Sequence, residues 1–285
     1  MKLIITGATG QVGTALLRAI PAGWSVLSPD RSQMDLAHPA TIRAMIKRER
    51  PDLVINAAAY TAVDMAENEP ELAYAINAGA VGVMAQSLAE TGGRLVHIST
   101  DFVFDGQAAR AWHPDDPPCP LSVYGRTKAS GEKLAGDKAL IVRTAWVYHA
   151  GGTNFVRTML RLMRENPEVQ VVADQISAPC EATALADVIL ELVRKSAHGI
   201  YHYSDAGTAS WYDFAVAIQE EALALGLLDR AVPVIPISTD DYPVHARRPP
   251  FSLLESSATH AITGIRPVHW RVNLRKMLQE EYARG

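Results

Sequence analysis

A tyrosine and a lysine four residues apart are the side chains best suited to acid–base chemistry in this sequence. Tyr124 and Lys128 stand in the stretch SVYGRTKASGEK. If the stretch is helical, the two side chains share one face, with Cβ atoms about 5–6 Å apart. A free phenol has a pKa of about 10, and a neighbouring ammonium would lower it toward neutral pH. Such a pair can protonate a carbonyl oxygen, although an isolated pair at this spacing is more often ordinary helix surface.

Hydroxyl and carboxylate side chains precede this pair at the end of a predicted strand. The apolar run RLVHIST ends with Ser99 and Thr100 and is followed by Asp101. In parallel sheets, ligands bind beyond the carboxyl ends of the strands. We therefore expect Thr100 to hydrogen-bond the same carbonyl oxygen that Tyr124 protonates while a hydride reaches the carbon. Lys128 would also hold the ribose hydroxyls of a nicotinamide cofactor.

A glycine-rich turn near the N-terminus supplies a site for such a cofactor. TGATGQVG places Gly7, Gly10 and Gly13 between the apolar run KLIIT and the amphipathic stretch QVGTALLRAI. The first run is typical of a buried strand and the second of a helix. Glycines here permit a tight turn and a close approach of backbone to a pyrophosphate, while the helix N-terminus offers free N–H groups. The turn therefore predicts a dinucleotide site that includes Gly7 and Gly10.

Residues that follow the second and third predicted strands complete the expected cofactor site. Asp30 lies 20 residues after Gly10, where an acidic side chain binds the adenosine ribose. Arg31 could instead hold a 2′-phosphate, so NADPH and NADH both stay open. We expect Asp35 and Leu36 to lie in a loop near the adenine. Small residues after the third strand would let the cofactor cross the sheet edge, in the stretch Ala57, Ala58, Ala59 and Tyr60.

The whole chain predicts an α/β fold, a Rossmann-like doubly wound parallel sheet with a smaller mixed α/β C-terminal lobe. Strands and helices alternate regularly to about residue 148, which is typical of right-handed βαβ units. We expect a dinucleotide-binding domain over residues 1–148, completed by roughly 181–204. The substrate-binding lobe would comprise 149–180 and 205–285. Within this scheme, ALIVRTAWVY is expected as one strand and PELAYAINAGAVGVMAQSLAET as one long helix, while the tail after about Val232 is expected to contain only short elements.

Composition narrows the classes of protein that fit. The formal net charge is −4 and no basic block stands out, so neither nucleic acid nor a membrane is an expected partner. No stretch approaches the length of an apolar membrane span. Cys119 and Cys180 lie far apart, which fits a reducing cytoplasm better than a disulfide framework. No grouping of cysteine and histidine predicts a metal site.

Several motifs together resemble one branch of the extended short-chain dehydrogenases/reductases. STDFVFDG, RTAWVY and the late RRPPFSLL are similar to the dTDP-4-dehydrorhamnose reductase family, and the resemblance runs nearly end to end. It implies reduction of the C4 ketone of dTDP-6-deoxy-L-lyxo-4-hexulose to dTDP-L-rhamnose by NADPH or NADH. It implies that Tyr124 is the catalytic acid, Lys128 its partner and Thr100 the third member. It also implies cofactor contacts from Gly10, Gln11, Val12 and Asp30.

The resemblance further implies the residues that hold the nucleotide-sugar substrate. Thr100, Asp101 and Trp146 of RTAWVY would contact the sugar, and Arg248 of RRPPFSLL would meet the diphosphate. Asn77, in the predicted long helix, is either the active-site asparagine of the wider superfamily or an ordinary helix residue.

Two departures from the family pattern are visible. Some members carry a glutamate two residues past the third glycine that helps bind Mg²⁺ at a dimer interface, and Ala15 stands here instead. A magnesium-bridged dimer is therefore not expected, and a monomer or homodimer both stay open. Ser177 to Cys180 replace the usual Gly-x-Pro-Thr after ADQ, which allows a slightly different placement of the nicotinamide.

Two other functions stay open from the residues alone. One is another nucleotide-sugar reductase or epimerase of the same superfamily, with the same acid and cofactor but a different sugar pocket. The other is a non-catalytic NADP-binding regulatory subunit that resembles the partner of methionine adenosyltransferase. The intact set of Tyr124, Lys128 and Thr100 favours an enzyme.

Overall fold

The structure is a computed structural model in which residues 1–284 are described, and its strands and helices alternate as expected through the first half of the chain. The strands are β1 (Lys2–Thr6), β2 (Ser25–Leu27), β3 (Leu53–Asn56), β4 (Arg94–Thr100), β5 (Leu140–Thr144), β6 (Val147–Tyr148), β7 (Val169–Val172), β8 (Ile176–Ser177), β9 (Cys180–Glu181), β10 (Gly199–His202), β11 (Ala209–Ser210) and β12 (Val234–Ile237). The helices are α1 (Gln11–Ala19), α2 (Pro39–Glu49), α3 (Val63–Ala66), α4 (Pro70–Tyr74), α5 (Ala80–Thr91), α6 (Val123–Ala135), α7 (Phe155–Glu165), α8 (Ala182–Arg194), α9 (Trp211–Ala224), α10 (Ser257–Thr263) and α11 (Trp270–Ala283). A π-helical turn (Ala75–Gly79) links α4 to α5, and 3₁₀ turns cover Asp101–Val103 and Thr239–Asp241.

Six parallel strands form the central sheet, in the order β10-β5-β4-β3-β1-β2. The order reverses between β1 and β3, so the loops after these two strands diverge and leave a crevice at the carboxyl edge of the sheet. This confirms the predicted Rossmann-like parallel sheet and positions the glycine turn and the end of β4 along the same edge.

Alternate side chains of the central strands pack into two separate cores, as a sheet covered on both faces requires. Leu3 and Ile5 of β1 pack in the core that contains α1 and α8. Ile4, between them, packs in the core that contains α2 and α5. The near-continuous apolar composition of these strands follows from this double coverage.

A third core lies outside the central sheet. It joins α7, α9 and α11 through buried side chains such as Leu160, Phe214 and Leu274, and it also includes Val169 of β7. Its short strands pair in two-stranded units, β6 with β9 and β7 with β12 in parallel and β8 with β11 antiparallel. The expectation of a smaller mixed α/β region in the second half of the chain is confirmed.

Three predicted elements differ from those observed. ALIVRTAWVY is not one strand, because Trp146 adopts a left-handed backbone (φ 45°) and separates β5 from β6. The long helix contains the π turn Ala75–Gly79. The tail holds the 14-residue helix α11, although only short elements were expected.

One helical run passes a simple test for a membrane span. Pro70–Thr91 is 22 residues long and apolar enough by length and composition, contrary to the expectation that no stretch approaches such a span. Its buried side chains, among them Val81, Met84 and Leu88, pack in the core beside α2. The core helix of a globular fold passes the same test, so the run is weak evidence for a membrane.

Candidate active site

The glycine turn closes tightly between β1 and α1. Gly7 has a φ of 67°, and a Cβ there would lie 2.7 Å from the backbone nitrogen of Ala58, in the loop after β3. A Cβ on Gly13 would lie 2.1 Å from the Gly7 carbonyl oxygen, so α1 packs against the turn only with glycine at this position. The turn is fixed by the Gly10 N–H, which donates to the Gly7 carbonyl at 2.9 Å.

Helix α1 starts at the crevice. Within residues 1–284, no side chain caps its N-terminal N–H groups. Gln11 and Val12 therefore present first-turn N–H groups at the positive end of the helix, which suits an anion. The Gln11 side chain donates to the Val147 carbonyl at 3.2 Å and accepts from Asn154 at 3.0 Å. These contacts bind the loop after β6 to the turn, and the cradle fits the pyrophosphate of a dinucleotide.

Helix α6 carries the tyrosine and the lysine on the far side of the crevice. Ser122 begins the helix, and its hydroxyl accepts from the Gly125 N–H at 3.1 Å. A Cβ on Gly125 would lie 2.2 Å from the Phe102 carbonyl oxygen, so glycine allows the helix to contact the 3₁₀ turn after β4. As a result the Tyr124 ring packs edge-on against Phe102, with ring centroids 5.5 Å apart.

The phenol of Tyr124 interacts with Thr100 rather than with Lys128. Burial raises the pKa of Tyr124 to about 12, the Thr100 hydroxyl acts in the opposite direction, and nearby Asp101 raises it further. The pKa of Tyr124 is thus raised rather than lowered as expected, and the hydrogen bonds of Lys128 go to His97 and to the Ile98 carbonyl instead of the phenol. Tyr124 and Thr100 line the same cavity.

Lys128 is buried, with 2% of its surface exposed, and its side chain extends toward β4. Nζ donates to the Ile98 carbonyl at 2.6 Å and lies 3.2 Å from Nε2 of His97. Burial lowers the pKa of Lys128 to about 8, and the charge of Glu132, one helical turn further along α6, opposes that shift. A lysine with this pKa still carries its charge near neutral pH but exchanges its proton readily.

Asp101 is a buried carboxyl group beside these hydroxyls. Thr100 Oγ1 donates to its Oδ1 at 3.1 Å, and the Ser252 hydroxyl donates to Oδ2. Burial raises the pKa of Asp101 to about 6, despite these hydrogen bonds. Asp101 therefore orients the Thr100 hydroxyl and connects the site to the chain segment that follows Arg248.

Two stacked indoles form another part of the site. The rings of Trp146 and Trp211 lie 3.6 Å apart between centroids and within 11° of parallel. Trp211 also packs on Phe155 and donates from its indole nitrogen to Gln175 at 3.2 Å. Trp146, which has the left-handed backbone between β5 and β6, thus stacks on the first residue of α9. A flat apolar surface of this kind suits the less polar face of a sugar.

A cavity of about 840 Å³ connects these groups. It is large enough to hold part of a dinucleotide cofactor together with a sugar. Twelve of the predicted site residues line it: Gly7, Gly10, Gln11, Val12, Ala57, Ala58, Ala59, Thr100, Asp101, Tyr124, Lys128 and Trp146. The glycine turn and the reacting hydroxyls therefore share one crevice at the carboxyl edge of the sheet.

The remaining predicted cofactor residues lie outside the cavity. Asp30 and Arg31 are exposed on the loop after β2, where one Asp30 oxygen accepts from Ser32 and Gln33 and Arg31 pairs with Asp35 at 3.3 Å. The other residues are held by neighbouring elements. Leu36 packs against the core beside α2, and the Tyr60 hydroxyl donates to Glu69.

Arg248 does not line the cavity either. Its Nη2 donates to Asp64 Oδ2 at 2.7 Å and its Nη1 donates to the Ala246 carbonyl at 3.1 Å. Asp64 also accepts from the backbone N–H groups of His245 and Ala246, and the Arg248 guanidinium holds its pKa below the usual range. Arg248, which was predicted to bind phosphate, is thus paired with the carboxylate of Asp64 in α3, next to the cavity residue Val63.

Several site residues were missed or left undecided from the sequence. Trp211, Arg18, His149 and Arg284 line the cavity, and none had been singled out. Asn77 lies in the π turn, where Oδ1 accepts from the Tyr60 N–H at 2.8 Å and Nδ2 donates to the Tyr60 carbonyl and to Thr127. It therefore ties the loop after β3 to α6, which makes it a positioning residue of the site.

No group of three or more histidine, cysteine, aspartate or glutamate side chains within residues 1–284 is arranged to hold a metal ion. Ala15, where some relatives have a magnesium-binding glutamate, is fully buried in the core beside α8.

The parallel sheet, the glycine turn at its switch point and the Tyr124–Lys128 helix together define an extended short-chain dehydrogenase/reductase. Residues 1–283 match the family described as RmlD substrate binding domain, and the chain belongs to that family.

Relatives of the chain agree with this assignment. A dTDP-4-dehydrorhamnose reductase of Burkholderia thailandensis is 41% identical, over 95% of this chain and 96% of its own. A spore coat polysaccharide biosynthesis protein of Bacillus subtilis, SpsK, is 40% identical over 98% of this chain and 97% of its own. The crystal structure of dTDP-4-dehydrorhamnose reductase from Bacillus anthracis in complex with NADP superposes with a TM-score of 0.92 at 35% identity, covering 98% of this chain and 99% of that one.

Proposed function

We propose that this protein reduces the C4 ketone of dTDP-6-deoxy-L-lyxo-4-hexulose to dTDP-L-rhamnose with NADPH or NADH. The observation that carries the proposal is that Tyr124 and Thr100 line the same cavity as the glycine turn. The relatives named dTDP-4-dehydrorhamnose reductase support the choice of sugar.

The nicotinamide, when bound, supplies a hydride to the ketone carbon. Tyr124 transfers its phenolic proton to the ketone oxygen as negative charge develops there. Thr100, whose single hydroxyl proton is donated to Asp101 in the structure, would turn that hydroxyl to donate a hydrogen bond to the same oxygen. The ketone thus gains one hydride and one proton, and the Tyr124 phenolate left behind is reprotonated from solvent.

Lys128 supports the phenol at a distance. Its ammonium holds the ribose hydroxyls of the cofactor and stabilises the phenolate through space, since positive charge in a poorly solvated site favours a nearby anion. The lack of direct contact with Tyr124 in the structure is consistent with this role. Gly7, Gly10, Gln11, Val12 and the start of α1 hold the pyrophosphate, and Ala57 to Ala59 leave space for the cofactor to cross the edge.

The substrate contacts follow from the remaining walls. Trp146, backed by Trp211, would lie against the sugar, with Asp101 and Thr100 on its polar side. Arg248 would bind the diphosphate after exchanging its Asp64 partner for phosphate oxygens, since a guanidinium pairs with either in two-point geometry.

The division into lobes is part of the same proposal. Residues 1–148 with 181–204 would hold the dinucleotide, and 149–180 with 205–285 would hold the sugar nucleotide. The separate core around α7, α9 and α11 supports this division, although residue 285 lies outside the described residues. We also propose that the protein acts in the cytoplasm, as a monomer or homodimer, on a nucleotide sugar rather than on nucleic acid or at a membrane.

The test is a coupled assay with chemoenzymatically prepared dTDP-keto-sugar, in which oxidation of NADPH or NADH is followed with wild-type protein and with Tyr124→Phe. Tyr124→Phe should retain its fold and cofactor affinity and lose most of the rate, about 100-fold or more, because it lacks the proton donor. Normal turnover by this variant would show the mechanism to be wrong.

A panel of other nucleotide keto-sugars separates the alternatives. Preference for a different sugar would identify a related reductase or epimerase. Tight NADPH binding with no turnover of any sugar would indicate a regulatory subunit.

A further inference from the structure

A chain of buried polar side chains leads from Lys128 across the sheet, away from the cavity. Nε2 of His97 lies 3.2 Å from Lys128 Nζ, and Nδ1 of His97 lies 3.2 Å from the side-chain amide nitrogen of Asn56. The other end of that amide lies 2.6 Å from Thr6 Oγ1. These four side chains thus join α6 to β4, β3 and β1, directly beneath the edge where the cofactor site lies.

The burial of this chain leaves its members dependent on one another. His97 is fully buried, and Asn56 and Thr6 are buried too. Burial, followed by the charge of Lys128, lowers the pKa of His97 well below its usual value, so the ring is neutral at physiological pH. Gly131 of α6 lies near the ring, where a Cβ would be 3.5 Å from Nε2, an ordinary van der Waals distance. Each ring nitrogen of His97 has one hydrogen-bond partner within residues 1–284, Lys128 at Nε2 and Asn56 at Nδ1.

The donor and acceptor roles follow from the charge on lysine. An ammonium has three donors and no acceptor. One of its N–H groups reaches the Ile98 carbonyl, so the one that faces His97 requires an acceptor at Nε2. The ring must then carry its proton on Nδ1. In the structure the amide nitrogen of Asn56 faces Nδ1 and the amide oxygen accepts from Thr6. Exchanging the two ends of the amide keeps these positions, so that the oxygen accepts from the Nδ1–H and the nitrogen donates to Thr6.

We propose that His97 is a positioning residue for the reaction: its unprotonated Nε2 accepts from the Lys128 ammonium, fixes it beneath the cofactor ribose, and maintains its charge. The inference deepens the proposed function and rests on it for the role of Lys128. Asn56 and Thr6 select the histidine tautomer that makes this possible. Without the acceptor, the buried ammonium would lose a hydrogen bond and release its proton at lower pH.

Other groups near Lys128 bear on its charge as well. Glu132 and Tyr124 lie one helical turn after and before Lys128 on α6. Arg143 on β5 pairs with Glu132, and Asp101 lies near Tyr124. None of them occupies the position of His97 Nε2, and all of them are kept in the variants below. Changes at His97 therefore test this one contact.

The first experiment measures the tautomer directly in the cofactor-free protein. Proton–nitrogen NMR of protein labelled with ¹⁵N-histidine, with His97 assigned by comparison with His97→Gln, should show a neutral ring with its proton on Nδ1 at pH 6.5. A ring with its proton on Nε2, or a charged ring, would overturn the proposal. This readout needs neither substrate nor turnover, so it distinguishes failure of the inference from failure of the proposed function.

The second experiment compares two substitutions of similar size. His97→Met removes the acceptor, and His97→Gln places an amide oxygen near the position of Nε2. The alkaline limb of kcat should move about one pH unit lower in His97→Met, which is a tenfold loss of rate on that limb, and should stay in place in His97→Gln. The pH above which NADPH affinity falls should also be about one unit lower in His97→Met than in the wild type.

The matched control is His202→Met, which removes the other fully buried histidine of the central sheet. His202 contacts Arg143 and the Trp112 carbonyl, not Lys128. We expect this variant to lose stability while its alkaline limb stays at the wild-type pH. An unshifted limb in His97→Met, or an equal shift in His202→Met, would overturn the proposal.

Discussion

The carboxylate of Glu132 and the guanidinium of Arg143 form a two-point ion pair inside the protein, with contacts of 2.9 and 2.7 Å. Their side chains are 5% and 1% exposed. Glu132 also accepts from the Ser99 hydroxyl at 2.5 Å, and Arg143 donates to the Pro114 carbonyl. The pair therefore joins α6, β5 and the end of β4, the three elements that position Lys128 and Thr100.

Removing one member of this ion pair should lower the free energy of unfolding far more than removing both members. Glu132→Gln leaves a buried guanidinium without its counter-charge, and we expect the free energy of unfolding to fall by about 3–5 kcal/mol. The double variant Glu132→Met with Arg143→Met should lose less than Glu132→Gln alone. Urea denaturation measures both, and a double variant less stable than the single one would contradict this account.

Trp211 should affect the binding of the nucleotide sugar and not the binding of the cofactor. Trp211→Ala removes the ring on which Trp146 stacks, so Trp146 loses its fixed orientation in the cavity. We expect KM for the nucleotide sugar to rise about tenfold, with NADPH affinity unchanged. Steady-state kinetics and a fluorescence titration provide the two values. Trp24→Ala, which removes a tryptophan packed against the core beside α1 and α8, is the matched control and should leave KM unaltered.

Arg31 should set the preference between the two cofactors. One Asp30 oxygen is already occupied by its own loop, whereas the Arg31 side chain is 78% exposed beside it. A guanidinium there can bind a 2′-phosphate in two-point geometry. Arg31→Ala should weaken NADPH about tenfold and NADH less than about twofold. Arg48→Ala, at another exposed arginine, should change neither, and equal losses for both cofactors in Arg31→Ala would contradict the assignment.

Asp205 should make the protein more stable as the pH falls from 7 to 5. Burial raises its pKa in the folded state to about 7, above the unfolded value of 3.8. The folded state therefore binds a proton that the unfolded state does not, and this contribution is full below pH 3.8 and lost as pH rises through 7. The gain between pH 7 and pH 5 should be about 2 kcal/mol.

Asp205→Asn should remove that part of the pH dependence, as urea denaturation at pH 5 and pH 7 would show. Glu221, whose pKa is lowered to about 2 by Arg275 and Arg271, keeps its full contribution across this interval and does not interfere. A slope in Asp205→Asn equal to that of the wild type would refute the assignment.

Periodicity and spacing in the sequence were sufficient for the central sheet, the glycine turn and the Tyr124–Lys128 helix. Each depends on residues near one another in the chain, such as Gly7 and Gly13 or the apolar strand residues buried on both faces. Helix α11 was missed because the many prolines of the tail predicted only short elements. His269, whose ring accepts from the Arg271 N–H at the start of the helix, is not a usual N-cap and gave no signal against that prediction.

Partners distant in the chain could not be read from local patterns. Three contacts join residues that are far apart in the sequence. They are the ion pair of Asp64 with Arg248, the stacking of Trp211 on Trp146, and the contact of Lys128 Nζ with His97 Nε2. The direction of the lysine side chain was the most consequential of these. Spacing on a helix places it on the same face as Tyr124, but burial against β4 determines where its charge lies.

The π turn at Ala75–Gly79 has a consequence for how this region tolerates change in length. A π turn accommodates one residue more than an α-helical turn. Deleting a single residue there would restore a regular helix yet rotate everything on its N-terminal side by about 100° relative to α5. The amide of Asn77 would then turn away from Tyr60, and the loop after β3 would lose these hydrogen bonds. Insertions and deletions in related chains should therefore avoid this turn even though it lies outside the cavity lining.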